Sequence, residues 1–200
     1  MASQTEIANL ALGHFGQSRI TSFGQDHPGA EAVRDCWDFA RDAVLRAHHW
    51  NFATAEAVLT EIASAPLVGW ARQFALPADF RRLVSCNGVP AGTRDTEFSI
   101  RGNVLVTNDA EAKVEYVRNV TACEEWDPDF VLAFSFQLAE LIAPRLSLDG
   151  GMSARLAQRK QDAGLTAMVS DATDSRPNVR KAQEGSGYLQ ARAGWDAEIG

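Results

Sequence analysis

The sequence predicts an α+β protein, in which about four helices pack with a small antiparallel β-sheet and an extended C-terminal arm follows. Apolar residues recur at helical spacing before residue 50 and again over 127–170. Over 51–120, β-branched runs between Gly, Pro and Asn replace that period. Residues 171–200 are polar and have no sustained period. We therefore expect a body over 1–170, whose core the 46% apolar content can supply, and an arm over 171–200.

The first helix is predicted over 4–15. Thr5 or Ser3 can cap its N-terminus, and Gly13 or Gly16 can end it. Its apolar stripe consists of Ile7, Leu10, Ala11 and Phe15.

The second helix is predicted over 29–49 and has the clearest periodicity in the chain. Two ion pairs are expected on its outer face, Arg34 with Asp38 and Asp42 with Arg46, because residues four apart lie side by side on a helix. Such pairs stabilise a helix by roughly 0.3 to 0.5 kcal/mol each. The apolar stripe follows at intervals of four and three residues: Val33, Trp37, Ala40, Val44 and Ala47.

The β region contains several strand patterns. Residues 98–108 predict a hairpin, since Gly102 and Asn103 form a two-residue turn between β-branched runs. Residues 112–120 alternate apolar and polar side chains, which indicates a half-buried strand. Residues 71–88 predict two further strands joined by a short turn. The strands are expected to form one antiparallel sheet.

Two more helices are predicted after the sheet. The third covers 127–146, with Asp127 as N-cap and Pro128 at the first helical position. The fourth covers 151–170 and is expected to pack against the third, although Gly164 weakens it by about 1 kcal/mol relative to alanine. The buried stripe predicted for the third helix is Val131, Phe134, Leu138, Leu141 and Ile142.

The charge of the chain argues against broad nucleic-acid binding. The formal net charge is -7, and residues 1–151 carry 12 basic and 20 acidic side chains, against 7 and 6 over 152–200. Phosphate binding requires clustered Lys and Arg, so an acidic body repels DNA. The N-terminal residues lack the basic region and apolar run of a signal peptide, and no stretch predicts a membrane span.

The three cysteines predict neither a disulfide framework nor a zinc knuckle. Cys36, Cys86 and Cys123 are odd in number, far apart and outside any CxxC pattern. A reducing compartment is therefore expected. No cofactor is expected either, because the glycines near Gly92, Gly102 and residues 148–153 do not form a phosphate-binding loop.

The adjacent residues His48, His49 and Trp50 could suggest a metal site, but neighbouring positions in a helix point about 100° apart and no HExxH or CxxC companion occurs. A histidine at a helix C-terminus interacts favourably with the helix dipole, and a tryptophan can cover the step into the sheet. We interpret the triplet as a structural joint and expect no metal.

Other chemical candidates have structural interpretations as well. The carboxylates Glu124, Glu125, Asp127 and Asp129 could form the acid–base pair of a glycosidase, but capping and the positive end of the third helix explain them better. No GxSxG nucleophile motif occurs. The basic doublet at 81–82 is typical of a solvated sheet edge or a subunit contact. No catalytic residue is therefore predicted.

The arm carries the residues predicted to bind a partner. Large aromatic side chains on an otherwise polar arm are typical anchors for a protein surface. The predicted contacts, with another protein or with a neighbouring subunit, are Tyr188, Leu189, Arg192 and Trp195.

Five segments together resemble the head-to-tail adaptor proteins of tailed bacteriophages, the tail tubular protein A family. In order along the chain they are EIANLALGHFGQSRITSF, ARDAVLRAHHWNFATAEA, FALPADFRRLVSC, VEYVRNV and DPDFVLAFSFQLAELIAPRLS. The resemblance covers about residues 4–170 and lies in the series, not in any single segment. It implies a ring, typically twelvefold, that sits under the portal and presents a platform for the tail tube or nozzle.

The resemblance also implies partners and location. The expected partners are the portal, the tail tube or nozzle protein and other copies of this chain, while DNA passes through the lumen without specific binding. The ring would lie in the neck of the virion and be assembled in the host cytoplasm. Two alternatives remain: a small tail-associated hydrolase of glycans or peptidoglycan, which needs two carboxylates facing a cleft, and a DNA-binding regulator, which the net charge opposes.

Overall fold

A computed structural model of the chain describes residues 3–93, 97–146 and 150–174 and is α+β. Four α-helices occur in these ranges: α1 (Gln4–Gly13), α2 (Pro28–Ala47), α3 (Pro128–Leu146) and α4 (Gly150–Asp174). Eight strands lie between α2 and α3: β1 (Thr54–Val58), β2 (Thr60–Glu61), β3 (Arg72–Ala75), β4 (Phe80–Cys86), β5 (Val89–Pro90), β6 (Phe98–Arg101), β7 (Val104–Thr107) and β8 (Lys113–Arg118).

Helix α1 begins with a capping box. The Ser3 side chain accepts from the Glu6 backbone N–H, and the Glu6 carboxylate accepts from the Ser3 backbone N–H at 2.7 Å. The helix ends at Gly13, two residues before its predicted end. Leu10, a member of the predicted apolar stripe, lies on the exposed side. It sits about 130° around the helix from the centre of the face that is buried, which is formed by Ile7, Ala8, Ala11 and Leu12.

Helix α2 begins at Pro28, where the His27 ring accepts from the Gly29 N–H at 3.0 Å as the N-cap. Its predicted stripe is confirmed in part: its first four members are buried, but Ala47 is exposed. The helix ends at Ala47, two residues earlier than predicted, because His48 is already extended.

The two ion pairs predicted on α2 are replaced by other contacts. Arg34 donates to the backbone carbonyls of Phe23 and Gln25, at 2.9 and 3.1 Å, and thereby holds the loop before the helix. Asp38 and Asp42 instead accept from Arg41, at 2.8 and 3.4 Å. Arg41 is buried, so its guanidinium needs these partners more than an exposed arginine would.

The β region forms two four-stranded antiparallel sheets, not the single predicted sheet. Sheet A has the order β1-β8-β4-β5, and sheet B has the order β2-β3-β7-β6. The hairpin at Gly102 is confirmed: β6 pairs with β7, and Gly102 has φ +62°, which suits the first turn position of a type II′ hairpin. The two strands predicted over 71–88 exist as β3 and β4, but they belong to different sheets.

The body has three layers, with sheet A in the middle. On β8, Val114 and Tyr116 point into the core between the two sheets, whereas Val117 points into the helical core. Strand β4 contributes to both cores, because adjacent strand residues face opposite sides: Leu83 packs between the sheets and Val84 packs towards the helices. Its register against β8 shifts at two places. The helices therefore cover one face of sheet A, and sheet B covers the other.

Helix α3 is the central helix of the bundle. Asp127 is its N-cap, since the carboxylate accepts from the Asp129 N–H at 3.0 Å. Phe134, Leu138 and Ile142 are buried as predicted, and the unpredicted Phe130 is fully buried. The other two members of the predicted stripe, Val131 and Leu141, are half-buried.

Helix α4 packs against α3, as predicted, through the buried side chains of Leu156 and Ala163. An ion pair between Lys160 and Glu140, at 2.6 Å, joins the two helices. Helix α4 continues to Asp174, four residues beyond its predicted end. None of the helices in the described ranges has an apolar stretch long enough to cross a bilayer.

Candidate functional site

The predicted partner-binding residues Tyr188, Leu189, Arg192 and Trp195 lie outside the described residues, which end at Asp174. The first part of the predicted arm, up to Asp174, belongs to helix α4. Within the described residues, a surface for a partner must therefore be formed by side chains of the body.

The triplet at 48–50 lies just after α2, not within it. The His49 ring nitrogen Nε2 lies 2.9 Å from the Thr54 hydroxyl, which itself donates to the Trp50 carbonyl, so Nε2 carries the hydrogen. The Trp50 indole N–H donates to the Val44 carbonyl at 2.9 Å, and its ring packs edge-on against His48. These contacts agree with the interpretation of a structural joint. Among the described residues, no group of three or more potential ligands converges on a metal position.

Two of the four carboxylates around the start of α3 have structural partners. Glu125 pairs with Arg118 at 2.7 Å, and Asp127 caps the helix. Glu124 lines a shallow cleft of about 330 Å³ that contains no second carboxylate in its described wall, which includes Ser3 and Cys123. The contacts of Glu125 and Asp127 are those of an ion pair and a helix cap, as the structural interpretation expects.

The basic doublet joins the sheet to the end of α2. Arg82 donates to the Ala47 carbonyl at 3.2 Å, and Arg46 donates to the Arg81 carbonyl at 3.1 Å. Nε of Arg81 lies 3.2 Å from the Asp42 carboxylate. These arginines line a cleft of about 580 Å³ at the edge of sheet A. Of these groups, the Arg82 guanidinium satisfies carbonyls at the negative end of the helix, which sequence spacing does not indicate.

The contact between His14 and Ser135 could not be predicted from the sequence. His14 Nε2 lies 2.8 Å from the Ser135 hydroxyl, and that hydroxyl donates to the Leu132 carbonyl at 2.7 Å. His14 is therefore the donor and Ser135 the acceptor. The His14 ring stacks on Phe136 at 4.0 Å, and burial, followed by the Arg159 charge, lowers its pKa.

This contact does not have the geometry of a nucleophile and its base. Ser135 is fully buried inside α3, and its hydrogen is directed to Leu132 within the same helix, away from the imidazole. A catalytic serine needs its hydroxyl hydrogen directed to the base. The residues lie 121 positions apart, so no spacing pattern could indicate the contact.

An apolar tip projects from sheet B. The loop between β2 and β3 carries Leu67 and Val68, which are 101% and 70% exposed. We call these two residues the apolar tip. Arg101 donates to the Val68 carbonyl at 3.0 Å, and Gln73 donates to the Ser64 carbonyl at 2.7 Å. Both anchors hold the loop in place while its apolar side chains point into solvent.

An apolar pocket opens in the helical layer, between the end of α2, α3 and α4. We call it the helical pocket, and its volume is about 190 Å³. A Cβ atom added at Gly164 would meet no atom within 4 Å, so this wall is open. The lining residues are Val44, Ala47, His48, Trp50, Ala133, Gln137, Lys160 and Gly164.

Comparisons with known proteins assign no family to this chain. No protein-family model matches it, and no curated protein does. Its function is therefore inferred from its own residues.

Proposed function

We propose that this chain is a structural head-to-tail adaptor of a tailed phage or phage-like particle. It forms a ring between the portal and the tail tube or nozzle, in the neck of the virion, after synthesis in the host cytoplasm. The proposal starts from the five-segment resemblance over residues 4–170. It is carried by one structural observation, the two unlike outer layers of the body.

Two unlike layers suit a closed ring. A ring is built from heterologous contacts, in which one surface of a subunit fits a different surface of its neighbour. Helices α2 to α4 form one outer layer, and sheet B forms the opposite one, with sheet A between them. Each copy can therefore present its helices to one neighbour and its outer sheet to the other.

The charge suits a channel for DNA. The segment 1–151 carries 20 acidic and 12 basic side chains. DNA is repelled by a wall of like charge and can pass without binding. The ring needs no cofactor and performs no catalysis in this role.

The arm is proposed to fasten the ring to its partners. Its anchors are Tyr188, Leu189, Arg192 and Trp195, whose aromatic and apolar groups are typical of interface hot spots. Ordering such an arm costs conformational entropy at the moment of binding, which makes attachment dependent on the presence of a partner.

Assembly on a portal template tests the proposal. The purified chain is expected to sediment as a monomer or a weak oligomer and to form a closed ring when portal particles are added, because portal raises its local concentration. Particle imaging should show a new layer under the portal. Portal alone and the chain alone provide the controls. If no closed ring forms on any portal particle, the proposal is wrong.

A further inference from the structure

The apolar tip has the properties of a preformed contact. Its loop, residues 62–71, contains no charged side chain, although 22% of the whole chain is charged. The tip is anchored at Val68 by Arg101 and near its start by the Gln73–Ser64 contact. A loop held this way loses little conformational freedom on binding, so exposed leucine and valine side chains there favour association.

The helical pocket has the size and chemistry to receive such a side chain. A buried apolar cavity of about 150 Å³ binds benzene, so a pocket of about 190 Å³ can hold the smaller side chain of leucine. Gly164 lines it in the middle of α4, where glycine is unfavourable for a helix and leaves the wall open. Lys160 is the only charged group in the described wall, and Glu140 neutralises it at 2.6 Å.

Tip and pocket lie on opposite sides of the body. Gln73 and Arg101 alternate with Phe74 and Phe98, which pack inside the sandwich, so both anchors lie on the outer face of sheet B. The pocket lies in the helical layer on the far side of sheet A. One copy therefore cannot fill its own pocket with its own tip.

The helix end beside the pocket is already satisfied within one copy. The Trp50 indole N–H donates to the Val44 carbonyl, and Arg82 donates to the Ala47 carbonyl. A tip whose loop carries no charged side chain therefore suits this site.

We propose that Leu67 and Val68 of one copy insert into the helical pocket of the next copy, which makes this the heterologous contact of the ring. The inference rests on the ring in the proposed function and adds the surfaces that form it. Burying one leucine strengthens association by about tenfold or more, which is modest for a single contact. A ring made of such contacts forms readily only when a template brings the copies together.

Disulfide trapping tests the contact in the full-length chain. The double variant Leu67→Cys/Gly164→Cys is incubated with oxidised glutathione, both at high protein concentration and on portal particles. A cysteine at 164 fits, because its Cβ meets open space. The matched control is Val58→Cys/Gly164→Cys, since Val58 is also an exposed apolar side chain (61%) but lies on β1 of sheet A.

The expected result is a ladder of disulfide-linked multimers at least about tenfold stronger than in the control. A ladder no stronger than the control overturns the inference, as do dimers formed equally well by Leu67→Cys alone, which would indicate contact between two tips. If rings form on portal without the ladder, the inference fails and the adaptor function stands. If the ladder forms and no ring appears on portal, the contact is right and the adaptor function is wrong.

Discussion

The half-buried imidazole of His14 couples the stability of the body to pH. Burial lowers its pKa below the ordinary value of 6.5, so near and below that pH the unfolded chain binds the proton more readily than the folded chain. The neutral ring therefore contributes stability that is complete above pH 6.5 and is lost as the pH falls through the folded-state pKa.

A variant without this titration should lose that part of the pH dependence. His14→Gln keeps an N–H donor for Ser135 but cannot be protonated. Thermal unfolding followed between pH 7.5 and about 5 should show a shallower fall in Tm for the variant than for the parent chain. Equal slopes in the two proteins would show that His14 does not cause the acid sensitivity.

Trp50 supplies both packing and a hydrogen bond at the end of α2. Its indole N–H satisfies the Val44 carbonyl, one of the last-turn carbonyls that lack a helical partner. Its ring packs edge-on against Phe130 at 5.0 Å.

Removal of the indole N–H should be costly even when an aromatic ring remains. We expect Trp50→Phe to lower the free energy of unfolding by about 1 to 3 kcal/mol, because a buried carbonyl loses its donor. Trp50→Ala should cost more, about 3 to 5 kcal/mol, through the cavity it leaves. Urea denaturation measures both values. A phenylalanine variant as stable as the parent would contradict the role of the hydrogen bond.

At the scale of elements, local chemistry predicted where several helices and one hairpin begin or turn. Ser3 was one of two predicted caps, and the structure selects it through its reciprocal bonds with Glu6. Asp127 caps α3 as predicted, and Gly102 turns the hairpin between β6 and β7. These features depend on residues within three positions of one another, which is why the sequence pattern reveals them.

The capping box should account for a measurable part of the stability. Ser3→Ala is expected to lower the free energy of unfolding by about 1 kcal/mol, whereas Ser3→Asp should keep most of it, since aspartate also accepts from the first-turn N–H groups. Ser18→Ala, at an exposed position after α1, is the control. Chemical denaturation of the three variants checks this. Equal losses for Ser3→Ala and Ser3→Asp would contradict the capping role.

The residue at which α2 ends could not be predicted from the local sequence pattern. The apolar period continues through 47, yet Ala47 is exposed and the chain becomes extended at His48. Trp50 and Arg82 then satisfy the last carbonyls from outside the helix. Arg82 lies 35 positions away along the chain, so no periodicity of the helix could indicate where it stops.

At the scale of the whole molecule, the body should fold without the segment beyond α4. In the part of the chain that the structure describes, the residues of both hydrophobic cores lie between Ile7 and Ala163. A chain truncated after Asp174 is therefore expected to keep its Tm but to lose firm attachment to portal particles. Thermal unfolding and co-sedimentation with portal measure the two properties separately.

A point variant links that loss to the arm's anchors. Trp195→Ala in the full-length chain should weaken portal attachment by at least about tenfold, the effect of losing one large aromatic hot spot. Ala193→Ser, two positions away, is the control. If the truncated chain still binds portal particles as firmly as the full-length chain, the arm does not attach the ring to the portal.

The fold class, the approximate positions of the helices, several strands and the caps of α1 and α3 can be predicted from the sequence, because periodicity and capping act over a few neighbouring residues. The division of the strands into two sheets, the pairing of Arg41 with both Asp38 and Asp42, and the contact of His14 with Ser135 appear only in the folded chain. The placement of the apolar tip and the helical pocket on opposite layers does so too. Packing joins residues that are far apart in the chain, and such pairings leave no regular spacing in the sequence.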